Sequence, residues 1–124
     1  MNKRILIVED DHDVAEMLEF ILNDEGFATR KLNSGKDVFT TIDQFHPDLV
    51  LMDYILHGGG LNGAEICRKI KDDSKTERIP VIIISASTKS KIKDSLQCDL
   101  FIEKPFDLHF LVRQINTCMH LRPQ

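Results

Sequence analysis

Apolar residues in this chain fall in short unbroken runs, separated by stretches where they recur every three or four positions. Five runs read as strands: Arg4-Ile5-Leu6-Ile7-Val8, the more mixed Phe27 to Leu32, Pro47-Asp48-Leu49-Val50-Leu51-Met52-Asp53, Pro80-Val81-Ile82-Ile83-Ile84-Ser85 and Leu100-Phe101-Ile102. Unbroken apolar runs of this length suit strands buried on both faces of a parallel sheet. The polar admixture in Phe27 to Leu32 suits an edge. Between the runs, Val14, Leu18, Ile21 and Leu22 form a helical stripe, as do Val38, Ile42 and Phe45. Ile66, Cys67 and Ile70 form a third inward face, with Arg68, Lys69 and Lys71 facing outward. The last stripe is Leu108, Leu111 and Ile115 with Cys118 or Met119. Lys89 to Gln97 has only Ile92 and Leu96 to anchor it, so a helix there should be short and loosely held.

Local signals punctuate the same pattern. Asp13 with Glu16 resembles a capping box for the first helix, and Gly26 suits its stop. Ser34-Gly35-Lys36-Asp37 opens the second helix and Pro47 closes the connection behind it. Asn62 with Glu65 boxes the third helix, and Asp107 caps the last. His57-Gly58-Gly59-Gly60 must be a loop; it is expected to be the most mobile backbone, with Thr88 to Gln97 next. Strands and helices thus alternate from end to end. The expected fold class is α/β: a single domain over residues 1–124, with a doubly wound, five-stranded parallel sheet in the order 2-1-3-4-5 and helices on both faces.

Composition narrows the function. The net charge of −4 offers no basic excess to neutralise phosphates, which argues against direct nucleic-acid binding by this domain. Met1-Asn2-Lys3-Arg4 leads into only four apolar residues before Glu9, so the start does not read as a signal peptide, and no run reaches membrane-spanning length. The three cysteines, Cys67, Cys98 and Cys118, lack ligand spacing and read as reduced thiols of a cytoplasmic protein. Asp11 and Asp13 read as helix-capping residues. A calcium loop there is excluded, because neither register has the glycine required at its sixth position. Gly58 to Gly60 lacks the Lys-Ser/Thr of a phosphate-binding loop.

The chemistry gathers at strand ends. The first strand is followed by Glu9 and Asp10, the third ends on Asp53, the fourth on Ser85, and Lys104 follows the fifth. In the expected strand order the first and third strands are neighbours at the switch point, so Glu9, Asp10 and Asp53 converge in one crevice. Three carboxylates there repel one another, and a hard divalent cation such as Mg²⁺ relieves that repulsion. A lysine and a hydroxyl on the far side of Asp53 suit an incoming phosphoryl group, and carboxylates can serve as phosphoryl acceptors.

Four segments carry a family resemblance: Ile5-Leu6-Ile7-Val8-Glu9-Asp10-Asp11, Asp48-Leu49-Val50-Leu51-Met52-Asp53, Pro80-Val81-Ile82-Ile83-Ile84-Ser85-Ala86 and Glu103-Lys104-Pro105-Phe106. Together, in this order and at these strand ends, they resemble the signatures of response-regulator receiver domains of two-component signalling. The resemblance implies that Asp53 is the phosphoacceptor, and that Glu9, Asp10 and Asp53 hold Mg²⁺ with the main-chain carbonyl of Ile55. It implies Ser85 as the switch hydroxyl, Lys104 as its ammonium partner, Phe101 as the aromatic switch position and Lys104-Pro105 as a cis peptide. A sensor histidine kinase or histidine phosphotransfer protein is then the implied phosphodonor. The chain would be a switch rather than an enzyme, at most assisting its own phosphorylation and dephosphorylation.

Two departures stand out: a longer, glycine-rich loop after Asp53, and a shorter segment between Ser85 and Lys104. A receiver-shaped binding module that works without phosphorylation is the alternative that the shortened segment favours. The intact acidic pair, Asp53, Ser85 and Lys104 oppose it. A mononucleotide binder on the same strand order is disfavoured by the carboxylates after the first strand, which repel phosphate. A third departure is that the chain stops where an effector domain would begin, as expected either of a stand-alone regulator or of a piece of a longer protein.

Overall fold

The computed structural model describes residues 2–56, 62–86 and 99–120. Expectations for the Gly58 to Gly60 loop, a helix within Lys89 to Gln97, and Cys98 lie outside the described residues. The described elements alternate along the chain: β1 (Arg4–Val8), α1 (His12–Asp24), β2 (Ala28–Leu32), α2 (Val38–Phe45), β3 (Leu49–Asp53), α3 (Gly63–Asp72), β4 (Val81–Ser85), β5 (Leu100–Glu103) and α4 (Leu108–His120). The five strands form one parallel sheet in the order β2-β1-β3-β4-β5, as expected. Every residue of β3 and β4 is buried, whereas the edge strand β2 has none that is.

Alternation along the strands sends side chains to two cores. Ile5, Ile7, Leu49, Leu51, Ile82, Ile84 and Ile102 face Leu18 and Leu22 of α1 and Leu111 and Ile115 of α4. Leu6, Val8, Val50, Met52, Val81 and Ile83 face Val38 and Ile42 of α2 and Ile66, Cys67 and Ile70 of α3. Both faces of the sheet are therefore covered, which is why its central strands are apolar throughout rather than alternating. Each fully buried Leu, Ile or Val contributes roughly 1.5–3 kcal/mol relative to exposure. This apolar slab holds the polar strand ends in place.

Two local expectations need correction. The N-cap of α1 is Asp11, not Asp13: its Oδ1 accepts from the N–H of Asp13 at 3.0 Å and of Val14 at 3.2 Å. The helix begins two residues earlier than the Asp13–Glu16 spacing suggested, and Asp13 instead lies in the first turn, where its charge favours the helix dipole. Gly26 follows the C-cap with φ of +96°, as a left-handed stop requires.

Lys71 does not face outward. Its ammonium lies 2.6 Å from Asp99 Oδ2 and donates to the carbonyls of Ile79 at 2.8 Å and Glu77 at 3.2 Å. The same Asp99 oxygen accepts from the Val81 N–H at 2.7 Å, so α3 is clasped to the starts of β4 and β5. A lysine stem can lie along apolar surface while its head finds acceptors, so an outer-face position in sequence does not fix where the charge ends up. Lys71→Met should lower stability by about 2 kcal/mol, because it removes the cation from the Asp99 carboxylate and a donor from two carbonyls. Lys69→Met, at an exposed neighbour, should change it by less than about 0.5 kcal/mol. Equal urea midpoints for the two variants would sink this account of the clasp.

Candidate functional site

All strands run the same way, so their C-terminal ends lie on one edge of the sheet. The register pairs Val8 with Met52, Asp53 with Ile84, and Ser85 with Glu103. Glu9, Asp53, Ser85 and Lys104 consequently arrive at that edge from four adjacent strands. The Glu9 backbone is tied to β2 by its N–H to the Leu32 carbonyl (3.0 Å), and Tyr54 N–H donates to the Ile84 carbonyl (2.9 Å). Lys104 N–H donates to the Ser85 carbonyl at 2.7 Å, joining those two residues through the main chain. The Lys104-Pro105 peptide is cis, as the family resemblance implied.

Glu9, Asp10 and Asp53 each offer a carboxylate oxygen, and those oxygens lie within 4.8 Å of one another. Glu9 is 1% and Asp53 8% exposed, while Asp10 is half-buried. The Lys104 ammonium lies 3.0 Å from Glu9 Oε1 and 3.5 Å from Asp53 Oδ2, so one cation serves two carboxylates. The second Glu9 oxygen accepts from the Asp11 N–H at 3.2 Å. A cleft of about 290 Å³ lined by Glu9, Asp10, His12, Lys31 and Asn33 opens beside the cluster.

The electrostatics follow from this crowding. Burial pushes the Glu9 carboxyl up to about 7 from 4.5; sharing a hydrogen bond with Asp53 and its charge push the same way. The Asp11 N–H and Lys104 oppose the rise without cancelling it. For Lys104, burial alone would lower the ammonium; the Glu9 hydrogen bond and the charges of Asp53 and Glu9 outweigh it and hold it above its usual value. One ammonium does not neutralise this cluster. Lys104→Met should therefore destabilise the metal-free protein by about 2 kcal/mol, less than the roughly 3–5 kcal/mol of a fully buried pair because a quarter of the Lys104 side chain is exposed. Saturating Mg²⁺ should recover most of that loss. A loss of the same size with and without the metal would mean that Lys104 acts through packing instead.

The remaining expected residues sit nearby in sequence order. Ser85 is 1% exposed at the end of β4. Phe101 on β5 is half-buried and packs against the core on the α2–α3 side. Ile55, whose main-chain carbonyl the resemblance adds to the metal set, has an exposed side chain. α3 opens on a reciprocal capping box, Asn62 Oδ1 accepting from Glu65 N–H at 2.9 Å and Glu65 Oε1 from Asn62 N–H at 3.0 Å. Sequence reasoning passed over Gly63, whose N–H donates to the Tyr54 carbonyl at 3.1 Å. Its place in an Asn-Gly pair directly behind the cap was the available signal.

A family model described as the response regulator receiver domain matches residues 5–116. The chain belongs to that family. This receiver is 36% identical over 120 residues to the DNA-binding response regulator MtrA of Mycobacterium tuberculosis, covering 94% of the receiver and 50% of MtrA. It is 35% identical over 126 residues to the response regulator ArlR of Staphylococcus aureus, covering 98% of the receiver and 54% of ArlR. The receiver thus spans about half the length of these curated relatives. Among solved structures, it is similar to the signal receiver domain of a signal transduction histidine kinase from Syntrophus aciditrophicus. That match has a TM-score of 0.88 at 26% identity and covers 95% of the receiver and 90% of that chain. The five-stranded order seen here is that of the receiver fold, and the chain is a receiver domain of the kind found in two-component response regulators. Among the described residues, no helix is long and apolar enough to cross a membrane.

Proposed function

We propose that this receiver is a phosphoacceptor switch in which Mg²⁺-dependent phosphorylation of Asp53 alters a surface that a partner protein reads. One observation carries the reading: Glu9, Asp10 and Asp53 form a carboxylate cluster within 4.8 Å, with Lys104 held against two of its members. The donors are all hard oxygens crowded in one place, and burial together with the neighbouring Asp53 holds the Glu9 carboxyl above its usual range, so the residues fit a small divalent cation. Held by Glu9, Asp10, Asp53 and the Ile55 main-chain carbonyl, Mg²⁺ would supply charge to offset the phosphoryl oxygens.

The chain's own residues do the rest. An Asp53 carboxylate oxygen attacks the donor phosphorus, an O–P bond forms, and the bond from phosphorus to the donor's leaving group breaks. With a histidine kinase or histidine phosphotransfer protein the leaving group is an imidazole nitrogen; with acetyl phosphate it is acetate. The Lys104 ammonium faces the side of Asp53 where negative charge accumulates. Ser85 ends the adjacent strand and provides a hydroxyl able to donate to a phosphoryl oxygen, with Phe101 on the next strand responding to its movement. The switch therefore uses positioning and charge, with no enzyme turnover of a separate substrate. With a net charge of −4, the receiver offers a protein partner rather than DNA its output surface, in the cytoplasm.

Incubation with acetyl phosphate, with Mg²⁺ or with chelator, followed by intact-mass measurement and peptide mapping, tests the reading. One phosphoryl group on Asp53, formed only with metal, is expected. A product mapped to another residue, or none at all, would overturn it.

A further inference from the structure

We infer that Gly63 is a positioning residue for Asp53, present because α3 must press its first turn directly onto the backbone of the acceptor strand. The inference rests on the phosphoacceptor reading of Asp53. Nothing in the conformation of Gly63 calls for glycine: it is the first residue of α3, and Gly26 is the positive-φ glycine among the described residues. At a helical position alanine would be favoured over glycine by about 1 kcal/mol. Space explains the choice. A Cβ at Gly63 would lie 2.8 Å from the Tyr54 carbonyl oxygen, 3.0 Å from Tyr54 Cα, and closer still to the carbonyl oxygen of Asp53 itself.

These neighbours are main-chain atoms and cannot swing aside as a long side chain can. Both partners in the contact are also held from behind. The Asp53–Tyr54 peptide is fixed by Tyr54 N–H to the Ile84 carbonyl at 2.9 Å, and Gly63 N–H reaches back to the Tyr54 carbonyl at 3.1 Å. On the other side, the Asn62–Glu65 capping box and the buried Ile66, Cys67 and Ile70 fix the first turns of α3. A methyl group inserted here must therefore displace the peptide that carries Asp53, and with it the carboxylate facing Glu9 and Lys104. The glycine sets how far the acceptor stands from its partners, although it lies ten residues further along the chain.

Gly63→Ala tests this beside wild type and Asn62→Ala, which weakens the same helix start without adding an atom against Asp53. Three quantities are read for each: urea stability, Mg²⁺ affinity, and the rate of Asp53 phosphorylation by acetyl phosphate per folded molecule. Gly63→Ala should slow phosphorylation roughly ten- to a hundredfold and weaken Mg²⁺ binding, as a displacement of order 1 Å does at a reacting centre. Asn62→Ala should lose stability with its rate close to wild type. If Gly63→Ala loses stability alone, with both site readouts unchanged, the inference is wrong. If it does not fold, wild type decides: the Gly63 amide resonance should shift along the same Mg²⁺ titration curve as that of Tyr54, and a Gly63 resonance that stays put overturns the inference. Failure of wild type itself to take up a phosphoryl group would instead overturn the phosphoacceptor reading.

Discussion

Asp53→Asn should take up no phosphoryl group from acetyl phosphate and Mg²⁺, while its metal-free form should melt above wild type. The two effects have one cause. The carboxamide keeps the shape of the side chain and loses both the nucleophilic charge and the repulsion that charge creates. With Asp53 neutral, Glu9 loses the neighbour that raises it through a hydrogen bond and through charge, and keeps the Lys104 ammonium at 3.0 Å. A gain of about 1 kcal/mol is expected in the absence of metal, from removal of one like charge in a buried cluster. The gain should shrink or reverse when Mg²⁺ is added, because the variant also gives up a ligand. Intact mass and metal-free melting curves check the two halves separately. Uptake at the wild-type rate would place the acceptor elsewhere; a lower metal-free melting temperature would show that Asp53 is held by attraction to Lys104 more than it suffers from Glu9.

Metal and pH should act against each other on wild-type stability. Glu9 is raised in the folded protein to about 7 from the ordinary 4.5, so the folded state binds its proton more tightly than the unfolded chain. Its stabilising contribution is complete below 4.5 and is lost as pH rises through about 7. Without metal, then, this group makes the protein less stable at about pH 8 than at about pH 5. Mg²⁺ competes with that proton, so its affinity should strengthen over the same interval and its binding should release protons near neutrality. At a hundredfold excess over its dissociation constant, Mg²⁺ should add about 2.7 kcal/mol. Circular dichroism suits the measurement, since the chain has no tryptophan. Melting curves that superimpose with and without Mg²⁺ at about pH 8 would remove the metal site from the proposal.

Much of this protein was legible because its signals are local or follow from topology. An apolar run such as Leu49 to Met52 announces a strand covered on both faces, and alternation with helical stripes leads to the parallel order β2-β1-β3-β4-β5. Parallel strands bring their C-terminal ends to one edge, so Glu9, Asp10 and Asp53 could be gathered from sequence before any distance was known. The Asn62–Glu65 box closes within one helical turn and could be read in the same way.

What the sequence left open depends on contacts between residues far apart along the chain, and on rotamers that packing selects. Lys104 was expected beside Asp53; the structure also sets it against Glu9, 95 residues away, and thereby links Glu9 protonation to the same ammonium. Lys71 has the pattern of an outward lysine, and its partners, Asp99 and the carbonyls of Ile79 and Glu77, are brought to its ammonium by the return of the chain. Asp11 and Asp13 are equally good caps by residue type, and the structure starts the helix at His12 with Asp11 as its cap. Gly63 reads as ordinary beside a good helix cap until the Asp53 carbonyl is found where its Cβ would be. Periodicity and strand order specify which residues share an edge, because they depend on backbone geometry alone. Which charge pairs with which, and how closely two backbones approach, is a property of the packed molecule.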